Sequence, residues 1–164
     1  MLLYPDKIFH RITDIKQEHL NDYNIKALLI DVDNTMSTHG GQEPVEGLDQ
    51  WIADMKATGI SLYVLSNARK SRVQPFAEKL GLNFIHLGLK PLPIGYIRGK
   101  MKIKAPFKNI AIVGDQLFTD ILGGKLTGIR TFLVHPILLE DKTSFKIRRK
   151  LENVYLKKYR KGEM

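Results

Sequence analysis

The sequence predicts an α/β fold: a single doubly wound, Rossmann-like domain on a mainly parallel five-stranded sheet. Five short apolar runs recur at intervals too long for hairpins. Within each run the apolarity is continuous rather than alternating, as in strands covered on both faces. Amphipathic helical patterns fill the gaps between the runs. Strand and helix in alternation give a parallel sheet wrapped by helices, and such sheets bind ligands at the carboxyl ends of their strands.

Before Lys26, Ile8, Phe9, Ile12 and Ile15 fit one apolar helical stripe, read as core packing. The first predicted strand is Lys26–Val32 (KALLIDV). In Pro44–Thr58, Leu48, Trp51, Ile52 and Met55 fall at i, i+3, i+4 and i+7, one face of a helix that Gly59 ends. Ile60–Ser66 (ISLYVLS) is the second strand. Ala68–Leu80 is helical and closes at Gly81, with Pro75 implying a kink or a late start. Asn83–Leu87, Asn109–Gly114 and Thr131–His135 are the remaining strands, with helices near Ile94–Lys102 and Thr119–Leu126. The spans 34–65 and 67–89 have room for a helix, a strand and loops, and so for no large cap domain. Residues 1–164 therefore read as one capless domain ending in a basic helix at about 143–161. That helix carries Ile147, Leu151, Val154 and Tyr155 as an apolar stripe among basic residues. Such a stripe suits an anionic bilayer or the sheet body.

Composition narrows the function classes. A chain of 164 residues, 43% hydrophobic and 26% charged, can bury a substantial core. With no cysteine there is no disulfide, thiolate nucleophile or Cys-based zinc site. Pro5, Asp6 and Lys7 interrupt the amino terminus where a signal peptide would be apolar. No run approaches the roughly 18 apolar residues of a membrane span. The expected location is cytoplasmic, with peripheral contact at the inner membrane face through the tail. The net charge of +9 is uneven: Asp141–Met164 has nine Lys or Arg against three acids, hence +6. A basic tail on a nearly neutral body points towards phosphate-bearing partners, a membrane surface or nucleic acid, or else a solvated helix.

The polar residues that follow the strands carry the chemistry. Asp31 and Asp33 lie two apart at the first exit, so in an extended chain they project to one face. Ser66-Asn67 stands at the second exit, Lys90-Pro91 after the third, and "GDQLFTD", with Asp115 and Asp120, at the fourth. Converging carboxylates suit a hard divalent cation, and a nearby lysine and hydroxyl suit phosphate. At an effective dielectric near 20, two like unit charges ~4 Å apart repel by about 4 kcal/mol. A cation and Lys90 would reverse the field that an incoming phosphate meets.

"DVDNT", "SN", "KP" and "GDQLFTD", in that order, resemble the four motifs of the haloacid dehalogenase (HAD) superfamily of phosphohydrolases. The short spacing, Lys90-Pro91 and the basic carboxyl end are most similar to its YqeG-type, IIIA-subclass branch. The resemblance implies an Mg²⁺-dependent phosphomonoester hydrolase in which Asp31 is the nucleophile and Asp33 the general acid and base. Ser66 and Lys90 would hold the phosphoryl group, with Asn67 beside them and Thr35 steadying the loop by hydrogen bonds. Asp31, Asp115 and Asp120 would bind the metal, joined by the backbone carbonyl of Asp33. Within that superfamily the resemblance implies that an acid at position 33 favours a phosphatase or phosphomutase over dehalogenases, which lack one there. For this branch the resemblance implies phosphatidylglycerophosphate as substrate.

Each residue also has a plainer reading. Ser66 and Asn67 cap helices elsewhere, Lys90 could be a surface lysine, and Asp120 could serve a helix dipole. His39 reads as an exposed loop residue, His86 and His135 as structural, Trp51 as core, and Gly40-Gly41 as a turn. The rival functions are a nucleic-acid or protein phosphatase of the same fold, and a phosphoacceptor or binding domain without turnover.

Overall fold

The computed structural model describes residues 1–162. Six parallel strands form one sheet in the order β1-β6-β5-β2-β3-β4. They are β1 (Lys7–Phe9), β2 (Ala27–Ile30), β3 (Ser61–Leu65), β4 (Asn83–Ile85), β5 (Ile110–Gly114) and β6 (Arg130–Val134). The continuous apolar run of β2 is explained by its place: it is buried throughout and pairs with β3 on one side and β5 on the other. From β2 the chain winds outward through β3 and β4, then crosses back to β5 and β6. Between β2 and β5 the winding reverses, and the crevice outside their carboxyl ends is where such a fold takes ligand.

Helices cover both faces. Helices α2 (Leu48–Ala57) and α3 (Lys70–Lys79) place Trp51, Met55, Val73 and Phe76 in one core layer with Leu28, Ile30, Leu62 and Val64. The Trp51 indole also donates to the carbonyl of Ile15 at 2.8 Å. On the other face α4 (Pro93–Ile103) packs Tyr96 against Leu29, Ile110 and Ile112. Helix α5 (Leu122–Thr127) lies beside α4. No large cap is inserted: loops and α2 alone separate β2 from β3.

The sheet has six strands rather than five. The sixth, β1, takes in Ile8 and Phe9, so those two residues do not share a helix with Ile12 and Ile15. Ile12 instead opens a 3-10 turn (Ile12–Asp14), and the short α1 (Gln17–Asn21) follows Ile15. Three residues are too few to show a period, and β1 is held by tertiary bonds. Ahead of its register with β6, the carboxylate of Asp6 accepts from the Thr131 N–H at 2.8 Å and its hydroxyl at 2.9 Å.

Other boundaries moved for local reasons. Helix α2 starts at Leu48 because Gly47, at φ 79°, turns the chain immediately before it. Pro75 lies inside α3, which starts at Lys70, and there it forgoes one intrahelical bond. The helix expected over Thr119–Leu126 is a π-turn (Leu117–Ile121) leading into α5. Among the described residues, no helix is long and apolar enough to cross a membrane.

The carboxyl-terminal helix α6 spans Thr143–Gly162. It docks on the body by a charged face rather than by the apolar stripe. Glu152 is buried, and Tyr155 and Leu156 pack beside Leu117, Ile121 and Leu133. Of the stripe only Tyr155 turns inward; Ile147, Leu151 and Val154 remain 57%, 51% and 50% exposed. Periodicity located that stripe but could not say which face of the helix meets the sheet.

Candidate active site

The polar residues at the four strand exits converge at the crevice. Asp31 follows β2 directly, its N–H still bonded to the Val113 carbonyl at 2.9 Å. Asp115 follows β5. Asp120 comes from the π-turn, whose wide winding returns its carboxylate towards Gly114 and lets it accept from the Gln116 N–H at 3.1 Å. Carboxylate oxygens of Asp31, Asp115 and Asp120 lie within 4.8 Å of one another, and all three residues are buried.

Lys90 is no surface lysine. Its ammonium is buried, 2.6 Å from Asp120 Oδ1 and 3.0 Å from Asp31 Oδ1. Asn67 places it, accepting from the Lys90 N–H at 2.7 Å and donating to the Lys90 carbonyl at 3.0 Å. The Ser66 hydroxyl accepts from the Ala68 N–H at 3.1 Å, a turn rather than a helix cap, since α3 starts further on. Its own hydrogen stays available to a ligand.

Two expectations about the first loop are corrected or refined. Thr35 does not steady the loop through its side chain: its hydroxyl is buried without a hydrogen-bond partner, and only its N–H bonds back, to Val32 at 3.2 Å. Asp33 shares the pocket with Asp31, but its carboxylate stands outside the three-carboxylate group. It accepts from the Gly40 N–H at 2.7 Å and from Arg72 at 2.9 Å. Gly40, at φ 73°, makes the turn that brings its N–H there. His39 is exposed, yet it borders the pocket and its ring meets Phe145 of α6 edge-on.

Arg72 and Arg149 were missed as site residues. Arg72 is unremarkable in a polar helix sequence. Arg149 was visible only as one basic residue of the tail, and nothing in the spacing distinguishes it from Arg148 or Lys150. In the structure it joins Asp115 to Glu140 and Glu152. Glu140 in turn accepts from Asn34 at 3.0 Å.

Burial dominates the electrostatics. It pushes the Asp31 carboxyl up to about 7 against the pull of Lys90, and Asp120 adds to the rise. Burial also lifts Asp115 well above the carboxylate range, opposed chiefly by Arg149. For Lys90 burial works against the charge, but Asp120 and Asp31 outweigh it and raise its pKa. Five carboxylate side chains that are no more than about a tenth exposed (Asp31, Asp115, Asp120, Glu140, Glu152) face two cations, Lys90 and Arg149. The sum is −3. Asp115 Oδ1 is buried and has no hydrogen-bond partner. An orphaned carboxyl oxygen among more acidic groups than cations is what a hard cation would complete, displacing the protons of those acids.

The site opens to solvent through a pocket of about 760 Å³ bordered by Asp31, Asp33, Ser66, Lys90, Phe118 and Arg148, among others. Among the described residues, no domain covers it.

Several known proteins resemble this chain. The family described as "Mitochondrial PGP phosphatase" matches residues 1–138. A Bacillus subtilis (strain 168) protein named "Probable phosphatase YqeG" is 32% identical over 148 residues, 90% of this chain and 86% of that relative. Two solved structures share the fold at low identity. The "putative HAD-hydrolase YfnB" of Bacillus subtilis, bound to magnesium, is 20% identical with a TM-score of 0.53, over 63% of this chain and 50% of its own. CbbY of Rhodobacter sphaeroides, in complex with phosphate, is 16% identical with a TM-score of 0.56, over 69% and 87%. Matched by the family model over residues 1–138 and by a YqeG relative over 90% of its length, this chain belongs to the Mitochondrial PGP phosphatase family and is a phosphatase of the YqeG kind, a phosphoric monoester hydrolase.

Proposed function

We propose that the chain hydrolyses a lipid phosphomonoester, phosphatidylglycerophosphate, with Mg²⁺ and through an aspartyl-phosphate. The observation that carries the metal-dependent chemistry is the convergence of Asp31, Asp115 and Asp120 within 4.8 Å, with a buried oxygen of Asp115 left unpaired, beside Lys90. Asp31, Asp115 and Asp120, with the Asp33 carbonyl, would hold Mg²⁺, which when bound supplies positive charge against the phosphoryl oxygens.

In the first step an Asp31 oxygen bonds to phosphorus as the ester oxygen leaves, taking a proton from Asp33. In the second, water bonds to phosphorus, returns a proton to Asp33 and frees Asp31. Lys90 neutralises charge on the transferring group and the Ser66 hydroxyl donates to it. Asn67 acts through Lys90, whose backbone it holds on both sides.

The open pocket and the outer face of α6 support a substrate presented by a bilayer. Ile147, Leu151 and Val154 are half exposed at i, i+4 and i+7, and Lys150, Lys158 and Lys161 flank them. Apolar side chains would enter the headgroup boundary while each lysine near an anionic surface gains about 1 kcal/mol. On this reading residues 1–164 act as one capless unit, peripheral to the membrane.

The test is phosphate release from phosphatidylglycerophosphate in anionic vesicles and from a soluble aryl phosphate, each with Mg²⁺. Asp31→Asn should abolish both. The double variant Ile147→Glu, Leu151→Glu should lower turnover on vesicles about tenfold and leave the aryl phosphate within twofold. Turnover confined to phosphopeptides or 3′-phosphorylated oligonucleotides would replace the lipid reading. An aspartyl-phosphate that forms and does not turn over would replace the enzymatic one.

A further inference from the structure

Helix α6 lies beyond the residues that the family match covers, yet its inner face reaches the candidate metal site. Arg149 spends all five of its N–H donors there. Nη2 donates to Asp115 Oδ2 and, at 2.9 Å, to Glu140 Oε1. Nη1 donates to the Asp115 carbonyl at 2.8 Å and to Glu152 Oε2 at 3.0 Å, and Nε donates to Glu140 Oε2 at 3.2 Å. The two glutamates are themselves held: Glu152 Oε1 accepts from the Leu117 N–H at 2.9 Å, and Glu140 accepts from Asn34.

From this clamp we infer that Arg149 is a positioning residue for the metal: by gripping the carbonyl and Oδ2 of Asp115 it presents Oδ1 to the cation. The inference rests on the metal-dependent reading above. Two contacts on one residue fix both its backbone and its carboxylate rotamer, while Oδ1 stays without a protein partner. A carboxylate without the guanidinium would be free to rotate, and its buried charge would lose its nearest cation. A lysine could not replace the fork, since an ammonium is a single point of donation. The same helix thus carries the exposed apolar stripe on one side and the hold on Asp115 on the other.

The experiment is Mn²⁺ binding to the full chain by calorimetry, with electron spin resonance as a second readout, on folded protein checked by circular dichroism. Loss of a side chain that orients a metal ligand lowers affinity by about ten- to a hundredfold. Arg149→Met should show a loss of that size, Arg149→Lys a smaller one, and Asp115→Asn at least as much. Tyr155→Ala, which loosens α6 against Phe118 without touching Asp115, should stay within threefold of wild type. Should Arg149→Met fail to fold, Arg149→Lys carries the comparison. Affinity unchanged in the Arg149 variants would overturn the inference and leave the metal reading standing. Tighter binding would show Arg149 competing with the cation, and an equal loss in Tyr155→Ala would show a general docking role; either overturns it. No Mn²⁺ binding by the wild-type chain would remove the metal reading and this inference with it.

Discussion

Asn67 holds both backbone polar groups of Lys90, accepting from its N–H at 2.7 Å and donating to its carbonyl at 3.0 Å. The residue after β3 thereby sets the course of the loop after β4, and the lysine at its end reaches Asp31 and Asp120. Asn67→Ala leaves two part-buried groups unpaired, a loss of about 1–3 kcal/mol. The expected outcome is a lower urea midpoint together with a fall in kcat of at least tenfold. Asn67→Asp should repair the N–H bond only. Wild-type kcat in Asn67→Ala would show that Lys90 is held well enough by its ion pairs.

Lys90 is the cation between two buried carboxylates, so its removal exposes their repulsion. Lys90→Met should lose about 3–5 kcal/mol, the usual consequence of stranding buried charge. It should also lose phosphatase activity at every Mg²⁺ concentration. Equilibrium denaturation in EDTA and in Mg²⁺ separates the two effects: the destabilisation should shrink when the divalent cation is present.

Gly114 ends β5, and a methyl group there would lie 2.2 Å from both Cγ and Oδ2 of Asp120. Asp120 is fully buried and bonded to Lys90 and to the Gln116 N–H, so it has no free direction in which to move. Gly114→Ala should cost about 1–3 kcal/mol and weaken Mn²⁺ binding by more than tenfold. Preserved metal affinity would mean that the π-turn shifts as a unit.

In metal-free protein Asp31 keeps its proton up to about pH 7, because burial disfavours its charge. The unfolded chain releases that proton near pH 4. Between these values the folded state binds more protons, so the Asp31 contribution to stability falls as pH rises. Asp31→Asn has no such proton to lose. Its melting temperature in EDTA, relative to wild type, should therefore rise from pH 5 to pH 8. A difference that does not vary with pH would show Asp31 ionised throughout.

Much of this was legible in the chain. Continuous apolar runs such as KALLIDV and NIAIVG revealed buried parallel strands because a central strand has no solvent side to make it alternate. Chain order placed Asp31, Ser66, Lys90 and Asp115 after successive strands, and a doubly wound sheet delivers such positions to one edge. What stayed hidden depended on contacts far apart in sequence. Strand β1 is too short to carry a period and is held by Asp6 on Thr131. Thr35 looked like a loop fastener, but its hydroxyl meets no partner.

By itself the sequence determined the α/β class, the crevice at the strand ends and the identity of the polar groups delivered there. These follow from hydrophobic period and chain order, which are local properties. Only the tertiary structure decided which way α6 faces and that Arg149, alone among the tail's basic residues, reaches Asp115. Those outcomes depend on rotation about a helix axis and on side-chain reach across more than thirty residues of chain, and no spacing along the sequence encodes either.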